Sequence, residues 1–350
     1  DAQESRGLGD VYKRQPSTEQ VGTESDGPHS LVRSKARYGD ALFKGISLAS
    51  ALMIFVILAA VATFLTSQAL PAFSADPAEP TGLRAVEAAG GFWQWVLPLA
   101  FGSVWSAILA MVMAVPLAVG IALFLSHYAP KRVSRVFGYI IDLLAAVPSV
   151  VFGLWGVTVL APALHPFFKW LNDNMAWFPL FNAWELHERS GEMRPILASG
   201  GQNMLTAAIV LALMATPIIT ALTREVFLQT PRLHEEASLA LGATRWEMVR
   251  QAVFPFSAPG VVSSCMLGLG RALGETMAVA MILPGKVLIS FQLLTRNNPN
   301  TIAAYIAQNF PESEGTGKAQ LVAAGLVLFV ITLAVNLSLI HISEPTRLLS

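Results

Sequence analysis

The run TPRLHEEASLALGATRWEMVRQAVFPF, Thr230 to Phe256, is too charged to cross a lipid bilayer and too regular to be a structureless loop. Thr230 and Pro231 predict a helix start, because a proline at the first helical position gives up an N–H that has no partner there anyway. Gly242 predicts the end of that helix in a left-handed conformation that a side chain would resist. Thr244, with Glu247 three residues later, forms a capping box that opens a second helix, and Pro255 is expected to close it. The run therefore reads as a helix-turn-helix lying at a membrane surface.

Apolar sequence flanks this hairpin on both sides. Hydrophobic residues make up 54% of the chain and charged residues 13%, too few ions to cover a soluble globule of this size. Six segments are long enough for a hydrocarbon core of about 30 Å: Ser47 to Thr66, Trp105 to Leu125, Asp142 to Leu160, Met204 to Leu222, Val261 to Leu283 and Leu321 to Leu337. They are continuously apolar and lack the alternation a membrane barrel needs, so the fold class is an all-α membrane protein with six transmembrane helices. Pro116, Pro148 and Pro217 are read as kinks facing neighbouring helices.

Basic residues are denser in one set of loops (Arg33, Lys35, Arg37, Lys44, Lys131, Arg132, Arg135, Arg224, Arg232, Arg245, Arg250) than in the other (Arg84, Lys169, Arg189, Arg194, Lys286, Arg296, Lys318). The positive-inside rule then places both termini in the cytoplasm and the hairpin on the cytoplasmic side. Seven tryptophans, Trp95 among them, fall near the outer helix ends, as in an aromatic belt. Residues 16–40 read as a disordered cytoplasmic tail. The runs at 1–15 and 338–350 resemble translated sequencing adapters and are read as artefacts. Net charge is zero, so no basic field points to nucleic acid.

The single cysteine, Cys265, reads as a small apolar core residue, and the histidines show no metal-ligand spacing, so no metal or other cofactor is expected. No phosphate-cradling Gly-x4-Gly-Lys-Ser/Thr loop is present, so the chain is expected to be non-enzymatic and to depend on a separate ATPase. The fifth span, GLGRALGETMAVAMILPG, carries Arg271 and Glu275. A charge near a bilayer centre costs about 2.5 to 3.5 kcal/mol on insertion scales, so such residues usually face a bundle interior and serve function. Their spacing of four puts both on one helix face. The alternative is a self-neutralising packing pair, with Gly270 and Gly274 as a close-approach face. The arginine fork suits an oxyanion, and a nearby carboxylate can accept the proton-bearing oxygen of hydrogen phosphate.

Glu236-Ala237-Ser238, Gly242 six residues after the glutamate, and Phe254-Pro255 resemble the EAA motif of ABC importer permeases. Ser238, Ala252 and Phe254 depart from its usual residues. In that family the loop docks into a groove of the ATPase, so the resemblance implies Glu235, Glu236, Ala237 and Gly242 as ATPase-coupling residues. IDLLAAVPSVVFGLWG (Ile141 to Gly156), TPIITALTREVF (Thr216 to Phe227) and LGLGRALGETMAVAM (Leu267 to Met281) look like the PstC family of phosphate-importer permeases. That likeness covers roughly residues 40 to 337. It implies a type I ABC importer permease fold over 41–337, with the coupling loop at 224–256. It also implies a place in the bacterial plasma (inner) membrane and a substrate pathway through Arg271 and Glu275. The partners it implies are a PstA-like second permease, a PstB-like ATPase dimer and an extracytoplasmic phosphate-binding protein. The rivals are a sulfate or molybdate permease of the same family, an ion-coupled secondary transporter, for which no inverted repeat is visible, and an intramembrane enzyme, for which no acid-base pair is.

Overall fold

The structure is a computed structural model and describes residues 38–74, 83–186 and 193–343. The run at 1–15, the tail at 16–40 up to residue 37, and residues 344–350 lie outside the described residues. The chain divides into two compact units, one ending at Leu58 and the other beginning at Ala59. In the first, the described residues are the opening turns of α1 (Tyr38–Ser74).

The second unit continues with α2 (Arg84–Ala89) and α3 (Phe92–Leu123), which widens into a π turn at Phe124–Tyr128. Then come α4 (Lys131–Ala145), α5 (Ser149–Trp155), a second π turn and α6 (Ala161–Met175). Strands β1 (Trp184–Leu186) and β2 (Met193–Pro195) pair antiparallel, with Glu185 opposite Arg194. Helix α7 (Met204–Leu228) leads to α8 (Arg232–Ala240), α9 (Arg245–Met248) and, through a third π turn, α10 (Phe254–Gly274). The short α11 (Met277–Ile282) and α12 (Ile302–Asn309) precede the long α13 (Gly315–Ser343).

Among the described residues six helical stretches are long and apolar enough to cross a membrane: Leu42–Phe73, Phe92–Tyr128, Ser149–Met175, Ser199–Leu228, Arg245–Gly274 and Gly315–Ser338. The number agrees with the hydropathy reading, but the boundaries shift, and in the third and fifth spans the shift has a local cause. Asp142 belongs to α4, an amphipathic helix that buries only Gly138 and Ile141. Pro148 is the N-cap of α5 (φ −59°, ψ 138°), so it starts the third span and does not kink it. The residue before a proline avoids the helical region, which is why α4 cannot run through. The fifth span stops at Gly274, where Glu275 turns extended (φ −68°, ψ 127°).

The core is the seam between α3 and α7, with α10 packed on both. Between helices in lipid no hydrophobic drive operates, so small side chains that allow close approach do the holding. Helix α3 supplies Ala107, Ala110, Ala114, Ala118 and Ala122, all fully buried. Across the seam, Ala110, Ala114 and Ala118 share a cluster with Ala207, Leu211, Ala215 and Ile219 of α7 and Val279 and Ile282 of α11. At the α12 end of α3 the approach is tighter still: a methyl at Gly102 would collide with the backbone carbonyl of Asn300. Ser103 Oγ there accepts the Ile302 N–H at 2.9 Å. Trp95 is fully buried, stacked edge-on against Tyr305 at 5.4 Å. It is a core residue, contrary to its expected place in an aromatic belt, whereas Trp93, Trp170 and Trp177 are exposed.

Candidate functional site

Two places carry the residues singled out by sequence. The first is the hairpin. Helix α8 begins at Arg232 with Pro231 as its N-cap, and Thr230 makes no cap: its hydroxyl is buried without a partner. The helix ends as expected, at Gly242 with φ +88°. Its frayed carbonyls are taken up by Gly242 N–H to Leu239 (3.0 Å) and Ala243 N–H to Ser238 (3.2 Å), the pattern of a glycine-terminated helix. Thr244 and Glu247 close a complete capping box, with Glu247 Oε2 accepting the Thr244 N–H at 2.7 Å. Pro255 does not end the second helix. It sits in the first turn of α10, directly after a π turn whose widened hydrogen bonding leaves the missing N–H without consequence.

No residue of α8 is buried. Leu233 is 75% exposed and Leu241 91% exposed. Glu236 and Ala237 lie on the exposed side, and Glu235 is partly covered. A groove of about 290 Å³ runs beside the helix, lined by His234, Ser238, Leu241, Gln251, Ala252 and Phe256. A short, uncovered, acidic-and-leucine helix of this kind presents a docking face, with carboxylates for charge-assisted hydrogen bonds and leucines for apolar contact.

The second place is an open groove on the face formed by α7, α10 and α13. Arg271 lies in the last turn of α10. It lines this groove, of about 940 Å³, together with Glu225, Gln229, Ser263 and Asn336. Its Nε is buried and has no hydrogen-bond partner. Among the described residues no carboxylate lies within 4.0 Å of it. Glu275, 8% exposed, is not on the same helix face as Arg271, because the helix has already broken at that residue. Its Oε1 accepts the Ala278 N–H at 3.2 Å and so holds the start of α11. Gly270 and Gly274 do not form a close-approach face either: a methyl at either meets nothing within 4 Å, while one at Gly268 would press on Ile219 at 2.5 Å.

An arginine that lines an open groove and has no ion-pair partner among the described residues is an anion-attracting group held without neutralisation. Glu225, the carboxylate that shares this groove, was not singled out by sequence, since it lies just beyond the apolar part of the fourth span. Its signal was the continuation of helical pattern through TREVF.

Comparisons with known proteins identify the family. Residues 114–345 match the family described as binding-protein-dependent transport system inner membrane component. The chain is 43% identical over 309 residues to phosphate transport system permease protein PstC 2 of Mycobacterium tuberculosis, covering 86% of this chain and 90% of the relative. It is 46% identical to PstC of Mycobacterium leprae, over 68% of this chain and 74% of that one.

The chain belongs to the PstC permease family.

Among solved structures, a bacterial alginate ABC transporter in complex with an alginate pentasaccharide-bound periplasmic protein has a chain that superposes with a TM-score of 0.56. The superposition covers 88% of this chain and 96% of that one at 14% identity. This likeness shows the fold alone, that of an ABC importer permease, and PstC membership makes the chain a multi-pass transport subunit.

Proposed function

We propose that this PstC-family chain is the membrane-spanning permease of an ATP-driven importer of inorganic phosphate. The observation that carries the reading is Arg271: a guanidinium that has no ion-pair partner among the described residues and lines the open groove between α7, α10 and α13. Its planar fork matches phosphate oxygens and never deprotonates. Glu275, at the helix break four residues on, lies outside the groove's lining; its carboxylate, which holds the Ala278 N–H, accepts the hydrogen of hydrogen phosphate as the ion passes. Its negative charge tempers the arginine, so the ion is attracted but not trapped. Sulfate, which carries no proton near neutral pH, gains nothing from the carboxylate.

The α8 hairpin supplies the drive. With the loop density of basic residues placing it and both termini in the cytosol, Glu235, Glu236 and Ala237 dock on an ATPase dimer of the PstB type, and Gly242 fixes the angle of the helix. A PstA-like permease completes the translocation path, and a phosphate-binding protein delivers the ion from outside.

R271A tests the reading. Radiolabelled phosphate uptake is expected to fall to background while the complex still assembles in the membrane, and R271K, which keeps charge but loses the fork, is expected to recover only part of it. Near-normal uptake in an inserted R271A complex, or equal uptake of sulfate by the unaltered one, would overturn it.

A further inference from the structure

Helix α8 is joined by the backbone to α7 and, through the α9 turn, to α10. It also touches a third helix. After Leu123 the π turn at Phe124–Tyr128 swings His127 toward α8, and the chain leaves the helix at Ala129 (ψ 140°). His127 Nε2 lies 3.5 Å from Glu235 Oε1, an ion-pair contact when the imidazole is protonated. Ser126 Oγ lies 2.7 Å from Nδ1 on the other side of the ring and 3.1 Å from the Leu123 carbonyl. When the hydroxyl donates to Nδ1, the neutral ring carries its hydrogen on Nε2. When it donates to Leu123, Nδ1–H points at the hydroxyl and the protonated ring again presents Nε2–H to the carboxylate. The ring stands edge-on to Phe227 of α7 at 6.3 Å, which limits its swing. Only 9% of the His127 side chain is exposed.

The other end of α3 is also fixed. Ser103 accepts the Ile302 N–H, and Gly102 sits against Asn300. From Ser103 to His127 the helix spans about 36 Å, so it is a strut held to α12 at one end and to α8 at the other.

We propose that His127 is a positioning residue that passes displacement of α8 into α3. The inference rests on the coupling role proposed above for α8. A histidine that only filled space would leave the yield of transport per ATP untouched, whereas a link in the drive would set it. The test uses the intact complex, reconstituted in proteoliposomes with its companion permease, ATPase and binding protein, and reads phosphate uptake and ATP hydrolysis together. In H127A the phosphate moved per ATP hydrolysed is expected to fall by roughly threefold or more, and H127Q, which keeps a side-chain donor, is expected to restore part of it. In an E235Q background H127A is expected to add no further loss, as coupled neighbours behave. An unchanged ratio in H127A, uptake and hydrolysis falling in step, or additive losses would each overturn the proposal. Absence of ATP-driven phosphate uptake by the unaltered complex would instead overturn the assigned function.

Discussion

At the scale of single residues, Gly102 fits against the Asn300 carbonyl in a contact with no room for a methyl and with backbone on both sides. Neither partner can rotate away, so G102A has to separate α3 from the segment leading into α12. Overpacking of this kind costs about 1 to 3 kcal/mol. The detergent-solubilised complex is expected to melt lower by a corresponding amount. G270A is the contrast, because its methyl enters open space, and its melting temperature is expected to match the unaltered protein. Arg271 and Glu275 make the complementary point about charge. Four residues apart, they suggested a pair on one helix face, and the identity of both as buried or groove-facing ions was legible because charge in apolar sequence is rare. Their geometry was not legible: the break comes from the extended backbone at Glu275, whose carboxylate then serves the Ala278 N–H. No proline or glycine at that residue announces it.

At the scale of elements, the hairpin was read well where caps are encoded locally and less well where they depend on neighbours. Gly242 and the Thr244–Glu247 box are short-range signals, and both are present. Helix α8 starts one residue later than expected, with Pro231 as its N-cap, and the second helix passes through Pro255 directly after the π turn at Val249–Val253, which no composition rule reveals. The same holds for the third span, where hydropathy runs smoothly across Ala145–Ser149 although Pro148 divides two helices. G242V forces a β-branched residue into a left-handed conformation, at about 1 to 2 kcal/mol. It is expected to loosen the turn, raising protease cleavage between Leu241 and Thr244 and lowering the ATPase recovered with the permease. E247A removes half of the capping box, worth about 1 kcal/mol, and is expected to weaken ATPase recovery less than E236K, which reverses charge on the docking face itself. Equal recovery for all three variants would show that α8 does not dock.

At the scale of the whole molecule, orientation gives the sharpest check. Leu241 and Arg296 are both exposed and belong to opposite sides of the proposed topology. In a background lacking Cys265, L241C is expected to react with a membrane-impermeant maleimide only in inverted vesicles, and R296C only in right-side-out ones. The opposite pattern would place the hairpin outside the cell and remove any route to a cytosolic ATPase. Hydropathy made the six crossings readable, since it follows from lipid physics; their direction, expected from charge density, is what the labelling decides. The packing of α11, α12 and the loop from Pro284 to Thr301 was not readable. It rests on contacts between residues far apart in sequence, such as Ala198 N–H to Leu294 and Gln308 Nε2 to the Ala280 carbonyl.

The alanine row on α3 has a mechanical meaning. A flank made of methyl groups has shallow ridges, and helices interlock through ridges and grooves. A small axial slip of α3 along α7 therefore meets little steric corrugation, while the clamps at Gly102 and His127 decide how far it travels. If α3 moves along α7 during transport, this flank would serve as its bearing, and A114L, which would set a peg in it, is expected to lock the bundle in one state with the ATPase still bound.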